Sequence, residues 1–393
     1  MSENKQEWDI GIIGEYCITS SGGTPNRSDP LAYGGDIPWV KSGEVASSDI
    51  WETEEHITPH GLNFSSAKIA EEGSILVAMY GATAGQVARL KISAATNQAV
   101  LAIRPKSSAL DSDFLYHFMH RSKDALLKTC QGSGQPNLSA GIISELEINI
   151  PPLPEQKKIA EILSGIDVSI CLQKNKAEKY QTVITSFRDN LVKQLLRKES
   201  TKILPLDNVS RVIDSLHTTP VFTETGIPMV RVTDIKTGVL SLENTKKVTS
   251  EAYKLYIKNH EPAEGDIVIS RVGSYGITSL NTRNQKFCLG QNTALIHPTS
   301  IDGCFLYECL NSSFLRDQVE FMVEGSGYKS LSLASIRSLR IPVPSAIDQC
   351  ELSSFLKSIQ KSLAIEVEYG KKLAIAKNAL SADLLSGRMR VSI

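Results

Sequence analysis

Gly73-Ser-Ile-Leu-Val-Ala-Met-Tyr-Gly81 recurs as Gly265-Asp-Ile-Val-Ile-Ser-Arg-Val-Gly273, and this pair of segments decides how the whole chain reads. Searching outward finds three more matched blocks in the same order, at a period of about 190 residues. Ile37-Pro-Trp-Val-Lys-Ser-Gly-Glu-Val45 returns as Ile227-Pro-Met-Val-Arg-Val-Thr-Asp-Ile235. Gln98-Ala-Val-Leu-Ala-Ile-Arg-Pro105 returns as Gln291-Asn-Thr-Ala-Leu-Ile-His-Pro298. Gly132-Ser-Gly-Gln-Pro-Asn-Leu-Ser139 returns as Gly325-Ser-Gly-Tyr-Lys-Ser-Leu-Ser332, continuing from Leu146-Glu-Ile-Asn-Ile-Pro151 to Leu339-Arg-Ile-Pro-Val-Pro344. Four blocks in one order identify a duplicated unit, and two copies of one unit should share a fold.

Within each unit the pattern is β-rich, then helical. Ser74–Met79 and Asp266–Ser270 are short aliphatic runs behind a glycine, as buried strands require. Ala99–Ile103 and Thr293–Ile296 read as further strands, each stopped near a proline. Asp113–Cys130 and Asp302–Val323 read as helices, with Phe114, Phe118, Ala125 and Leu126 on one face. A last strand, Glu145–Ile150 or Ser338–Val343, ends each unit.

After those strands the character changes. Glu155–Glu199 carries apolar residues at Ile159, Ile162, Leu163, Ile166, Ile170, Tyr180, Val183, Ile184, Phe187, Leu191 and Leu195, with no proline. Three-to-four spacing predicts a rod of roughly 65 Å at ~1.5 Å per residue, in which only Gly165 is a poor helix former. Asp348 to about Leu385 repeats the pattern through Leu352, Phe355, Leu356, Ile359, Leu363, Val367, Leu373, Ile375, Leu380 and Leu384, and Ser386-Gly387 supplies a stop. Amphipathic helices this long need a partner for their stripe. They either pair with each other or lie each on its own domain; pairing is the simpler solution. The expected fold class is therefore α+β, with two tandem β-rich domains, each followed by a long helix. The two helices are expected to pair as an antiparallel coiled coil with pseudo-two-fold symmetry.

Composition narrows the function. The 393 residues are 41% hydrophobic and 22% charged, ordinary for a globular chain of two or more domains. No apolar run approaches the ~20 residues of a bilayer span, and the polar N-terminus lacks the apolar core of a signal peptide, so no membrane partner and a cytoplasmic location are expected. The seven cysteines (17, 130, 171, 288, 304, 309 and 350) form no CxxC pair, which favours reduced thiols over a disulfide framework or zinc site. The net charge is -1, but unevenly spread: residues 1–150 hold 11 Lys+Arg against 18 Asp+Glu, and residues 201–347 hold 15 against 14. Because phosphate neutralisation supplies most non-specific DNA affinity, a DNA-reading role would need basic partners.

Signatures of catalysis are missing from the sequence. Gly325-Ser-Gly-Tyr-Lys-Ser330 lacks the spacing of a phosphate-binding lysine loop and follows a helix rather than a strand. There is no Asn/Asp-Pro-Pro-aromatic sequence for adenine methylation, since Ile150-Pro-Pro-Leu153 reads as a strand-to-helix turn, and no nucleophile elbow or zinc-protease motif. His56 and His60 flank Pro59, and His117 and His120 lack a third ligand, so neither pair is expected to bind metal. No catalytic and no metal-binding residue is assigned.

The duplicated polar blocks say more. Lys41 and Arg231 follow the Ile-Pro-x-Val step at strand ends, where a cation can reach a phosphate or a guanine edge; otherwise it is a solvated side chain. Ser42 and Lys236 lie beside them. Tyr80 and Thr83, and Arg271, Ser274 and Tyr275, sit in small-residue turns that allow close backbone approach to a ligand, or that merely cap the core. Asn97-Gln98 and Gln291-Asn292 begin strands; their amides suit bidentate adenine recognition or backbone capping. Gln135, Asn137, Tyr328 and Lys329 differ between otherwise matching glycine loops, as two sites reading different sequences, or drifting loops, would.

These motifs carry a likeness to a known family. Ile37-Pro-Trp-Val-Lys-Ser-Gly-Glu44, Gly73–Gly85, Thr96-Asn-Gln-Ala99, Ile150-Pro-Pro-Leu-Pro-Glu-Gln-Lys-Lys-Ile-Ala160 and the closing Leu384-Leu-Ser-Gly-Arg-Met-Arg-Val391 together resemble the specificity subunits of type I restriction–modification systems. The likeness spans essentially the whole chain. It implies a first target-recognition domain at 1–152, a central spacer helix at 153–200, a second recognition domain at 201–345 and a C-terminal spacer helix at 346–393. It further implies that each domain reads one half of a bipartite double-stranded DNA target, and that the helices dock two modification subunits. Adenine methylation with S-adenosylmethionine would belong to those partners, and ATP- and Mg-dependent cleavage to restriction subunits; this chain would hold no cofactor and catalyse nothing. DNA rises about 3.4 Å per base pair, so a rigid rod can act as a ruler between half-sites. Val343-Pro-Ser-Ala-Ile-Asp-Gln-Cys350 departs from the Pro-Pro-Leu-Pro-Glu-Gln pattern, which questions whether the two docking surfaces are equivalent. Two other readings stay open: a coiled-coil scaffold that binds only proteins, and a self-contained methyltransferase or nuclease.

Overall fold

The structure, a computed structural model, describes residues 7–129, 137–323 and 329–392. It divides into two compact units, Met1–Gln173 with Glu368–Ile393, and Lys174–Val367. The two long helices, Leu153–Arg197 and Ala346–Leu385, each contribute one part to each unit.

The first unit is built around a five-stranded sheet in the order Cys17–Ser21, Val100–Pro105, Ile75–Ala78, Val87–Leu90, Asp49–Ile50, antiparallel except for its last pair. The aliphatic run behind Gly73 forms its central strand, and all four residues are buried. Alternation sends Ile75 and Val77 to one core, with Leu101, Ile103, Phe114, Leu115 and Met119. Leu76 and Ala78 go to the opposite core, with Val40, Val45, Val100 and Ala102. A strand covered on both faces needs no polar alternation, so it reads in sequence as a continuous apolar run. A second sheet, in the order Glu55–Ile57, Tyr33–Val40, Ala94–Thr96, Ile69–Ala70, carries the Ile-Pro-Trp-Val step next to the Thr96 turn. Asp9–Ile12 pairs with Glu147–Ile150.

The second unit repeats the plan. Its five-stranded sheet runs Ser210–Asp214, Thr293–Pro298, Ile267–Ser270, Thr278–Leu280, Gly238–Val239. A three-stranded sheet runs Lys246–Val248, Ile227–Val230, Cys288–Leu289, and Lys202–Pro205 pairs with Arg340–Val343. Again Ile267 and Ile269 enter one core and Val268 the other.

Two expectations are corrected. The helix expected over Asp302–Val323 is two helices, Gly303–Leu310 and Ser313–Val323. Asn311 breaks it by turning its side-chain amide to Thr278 Oγ1 at 2.7 Å, and the Asp189 carboxylate accepts from the Ser313 N–H at 2.7 Å, so the second helix starts on a cap from the long helix. In Ser112–Thr129, Ala125 faces solvent, while Leu115, Tyr116, His117 and Met119 are buried with Phe114 and Leu126.

The long helices are tied into each unit by charge as well as by their stripes. In the first unit Ile159, Ala160 and Leu163 share a core with Leu384 and Leu385. The Arg390 guanidinium donates to both Glu155 oxygens at 2.7 Å, and Trp8 Nε1 donates to Oε2 at 3.1 Å. Lys377 pairs with Asp167. In the second unit Leu191, Val192 and Leu195 share a core with Leu356, Phe187 packs on Phe355 with ring centroids 4.6 Å apart, and Lys198 pairs with Asp348 at 2.9 Å. Of the expected stripes, Val183, Phe355, Val367 and Ile375 are exposed.

The departure at the second proline-to-helix junction leaves its glutamine in the same job. Gln156 accepts from the Asp111 N–H at 2.7 Å and donates to the Pro151 carbonyl at 2.8 Å. Gln349 accepts from the Asp302 N–H at 2.9 Å and donates to the Pro344 carbonyl at 3.0 Å.

Arg188 Nε donates to Glu308 Oε2 at 2.7 Å with both side chains only 4% exposed, and Gln360 donates to the other Glu308 oxygen. Arg188→Ala strands a buried carboxylate, which should cost about 3–5 kcal/mol. It should lower the urea midpoint of unfolding, whereas the paired change Arg188→Met with Glu308→Leu should recover most of the loss. Equal losses in the single and paired variants would contradict this account.

Candidate nucleic-acid interface

Both central sheets present their candidate loops at one end. In the second unit, register pairs Asp214 with Ala294 and Ser270 with Thr293, so Asp214, Arg271 and the Gln291-Asn292 turn emerge together. Arg271 Nη1 donates to Asp214 Oδ1 at 2.6 Å, its Nε donates to the Leu331 carbonyl, and its N–H donates to the Asn292 carbonyl at 2.9 Å. Asn292 adopts φ 63°, the left-handed region that a short amide side chain tolerates. Gln291 Nε2 donates to the His217 carbonyl at 2.7 Å.

Arg231 directly follows strand Ile227–Val230. Its guanidinium bonds Asp234 at 3.1 and 3.2 Å, while its N–H bonds the same carboxylate at 2.9 Å. Arg231, Gln291 and Asn292 line one concavity of about 310 Å³ with Thr218, Pro220 and Phe222. The exposed Lys236 is held through its backbone, which exchanges bonds with Ser279 Oγ. The exposed Ser274 accepts from Ser270 Oγ, and Tyr275 donates its hydroxyl to Glu320 at 2.8 Å. Lys329 is exposed beside the Val272–Ser330 bridge. Tyr328 lies outside the described residues.

The first unit repeats the layout with different chemistry. Lys41 follows strand Tyr33–Val40, and its N–H bonds Glu44 at 2.7 Å, as Arg231 does Asp234. Its ammonium, however, is held by Glu54 at 2.8 Å and Glu55 at 3.0 Å, and those bonds keep its pKa above the ordinary value. Glu55 also takes Arg27 at 2.6 Å, whose guanidinium lies over the Tyr33 and Trp39 rings. The Asn97 side chain caps its own turn, accepting from the Ala99 N–H at 3.1 Å; the exposed Gln98 accepts from Thr24 Oγ1. Ser42 lies in the turn after Lys41, and Thr83 in the 3-10 turn after the half-exposed Tyr80. Tyr80 bridges Asn137, the counterpart of the Val272–Ser330 bridge. Gln135 lies outside the described residues.

Sequence reading missed Arg27, Thr24, Asp214 and His217, which hold the candidate residues in place. The recurring Thr24-Pro25 and Thr219-Pro220 pairs were the available signal for this loop.

A family model described as "Type I restriction modification DNA specificity domain" matches residues 5–181 and 220–375. The chain belongs to that family. Among its relatives, the type I restriction enzyme MjaIX specificity subunit of Methanocaldococcus jannaschii is 26% identical, the match covering 98% of this chain and 94% of that protein. The EcoBI specificity subunit of Escherichia coli is 24% identical over 75% of this chain and 68% of its own length. The crystal structure of the M. genitalium type I system S subunit superposes with a TM-score of 0.58 at 15% identity, covering 98% of both chains, a likeness of fold. Neither the scaffold nor the self-contained enzyme reading draws support from these matches.

Other polar clusters in this specificity-domain protein serve its core. His117 is buried on the Ser112–Thr129 helix with Nε2 2.9 Å from Ser164 Oγ, and His120 is exposed. Burial lowers the His117 pKa from 6.5 to about 3, against the pull of Asp167. Burial likewise pushes the Cys17 and Cys288 thiols up to about 12, leaving them unreactive. Among the described residues no helix is long and apolar enough to cross a membrane.

Because His117 is neutral when folded and regains ordinary proton affinity on unfolding, its contribution is present above pH 6.5 and lost as pH falls toward 3. The melting temperature should therefore fall more steeply over that window in the wild type than in His117→Gln. Parallel curves would rule this out.

Proposed function

We propose that this chain is the DNA sequence-recognition subunit of a type I restriction–modification complex, each unit reading one half of a bipartite target. The observation that carries the reading is the repetition of one readout layout. Lys41 or Arg231 ends the same strand, Asn97-Gln98 or Gln291-Asn292 forms the same turn, and Tyr80 or Arg271 with its neighbours occupies the same bridge-flanked loop. A common frame with different side chains at its tips suits two readers of different sequences. Amides in the turns can address adenine and the cations guanine or phosphate. Ser42, Thr83, Gln135, Asn137, Lys236, Ser274, Tyr275, Tyr328 and Lys329 complete the proposed contact set.

The long helices act in this proposal as spacers, pairing as an antiparallel coiled coil with pseudo-two-fold symmetry between domains at 1–152 and 201–345. Supporting this, residue numbers run in opposite senses in the contacts within each unit: Glu155 with Arg390 and Asp167 with Lys377, then Phe187 with Phe355 and Lys198 with Asp348. Val168, Leu172, Val183, Ile365 and Ile375 stay exposed, apolar surface suited to docking two modification subunits. Those partners would bring S-adenosylmethionine and, with restriction subunits, ATP and Mg, in the cytoplasm. They would also bring phosphate grip, since the acidic first unit holds Arg27, Lys41, Arg89 and Arg104 in ion pairs with its own carboxylates.

The test is footprinting on a pool of duplexes with and without modification subunits, backed by methylome sequencing of the source cells with and without this chain. Sequence-selective protection that requires the partners is expected; protection of nothing in either case refutes the proposal. Arg231→Ala should weaken binding by about 1–3 kcal/mol and relax selectivity in one half-site alone. Uniform weakening across both half-sites would remove Arg231 from the readout set.

A further inference from the structure

The opposite end of the second unit's central sheet holds a cluster that the readout does not use. Asp266 opens strand Ile267–Ser270, His297 lies near the end of strand Thr293–Pro298, and His260 precedes the loop that leads into Asp266. Four residues of strand lie between Asp266 and Arg271 on the readout side, five steps or roughly 16 Å at ~3.3 Å per residue.

Asp266 is fully buried, and its two oxygens face two imidazoles. His260 Nε2 stands 2.8 Å from Oδ2, and His297 Nδ1 stands 2.7 Å from Oδ1. The rings stack with centroids 4.6 Å apart, and one ligand atom from each of the three residues lies within 4.8 Å of the others. The Ala263 N–H also bonds Asp266 Oδ2 at 2.8 Å, fixing the carboxylate's orientation. His297 is about one-third exposed, so an ion can reach the cluster from solvent. Among the described residues this is the one group of three that could hold a metal ion.

We propose that His260, Asp266 and His297 form a binding site for a divalent cation of the zinc class. Two neutral imidazoles and a carboxylate are a nitrogen–oxygen set that such ions favour, at about 2.0–2.1 Å from each nitrogen. The ion replaces the two imidazole–carboxylate hydrogen bonds: His260 Nε2 and His297 Nδ1 give up the protons that faced Asp266, each neutral ring takes its proton on the other nitrogen by exchange with solvent, and solvent completes the coordination shell. The Ala263 bond orients the carboxylate from outside that shell.

The first unit makes a pointed contrast. Ser74 stands at the Asp266 position and Arg104 at that of His297, and Arg104 pairs with Glu71 to close this end of the sheet. The duplicated frame thus tolerates either an ion pair or a ligand set here. The ion would work as a staple between the loop and two strands, distant from base readout, and the inference does not rest on the proposed DNA role.

The test is titration of the chelator-treated full chain with Zn2+ alone by calorimetry, and with Co2+ by visible spectroscopy. One ion per chain is expected, with a higher melting temperature and no near-ultraviolet thiolate charge-transfer band. His297→Arg, which installs the first unit's residue, and His260→Gln should each weaken Zn2+ binding by about 100-fold or more, with the far-ultraviolet dichroism unchanged. No binding by the wild type, binding undiminished in both variants, or a thiolate band pointing to the cysteines would each overturn the proposal.

Discussion

A helix of 45 residues with one apolar stripe cannot cover that stripe by itself, and the rest of the structure answers to this constraint. The answer is to anchor each end of the helix in a different core. Ile159, Ala160 and Leu163 complete the core of the first unit, while Leu191, Val192 and Leu195 complete that of the second. The second long helix does the same in reverse order, through Leu384 and Leu385 and through Leu356. Neither unit has a finished core without segments distant from it in sequence.

Charge then fixes how the rods attach. An apolar stripe can slide along a core with modest cost, but a buried carboxylate must meet its guanidinium at one register. Arg188 with Glu308 in the second unit and Arg390 with Glu155 in the first provide that register. Burial raises the Glu155 pKa, yet the bonds from Arg390 and Trp8 outweigh it and hold the carboxyl below its ordinary range, so the clamp is charged near neutral pH.

The same economy shapes the ends of the sheets that carry the candidate contacts. Lys41, Arg231 and Arg271 are each hydrogen-bonded to carboxylates of their own unit, which orients them but also offsets their field. In the first unit this reaches Lys41 itself, between Glu54 and Glu55. If the proposed reading holds, an acidic unit with its cations so restrained would gain little from phosphate alone and would draw on base edges and partners for affinity.

Much of this was legible without coordinates. Duplication, the buried central strands and both rods follow from periodicity and repetition, because burial on both faces of a strand or along one face of a helix imposes those patterns directly on the residues. The motif likeness carried the family as well. What the sequence could not determine was pairing across distance. That Asn311 would break a helix to reach Thr278, that Lys41 would be claimed by Glu54 and Glu55, and that His260, Asp266 and His297 would converge depends on which strands lie side by side. Local patterning records whether a side chain is buried; only the packed chain decides which partner it meets there.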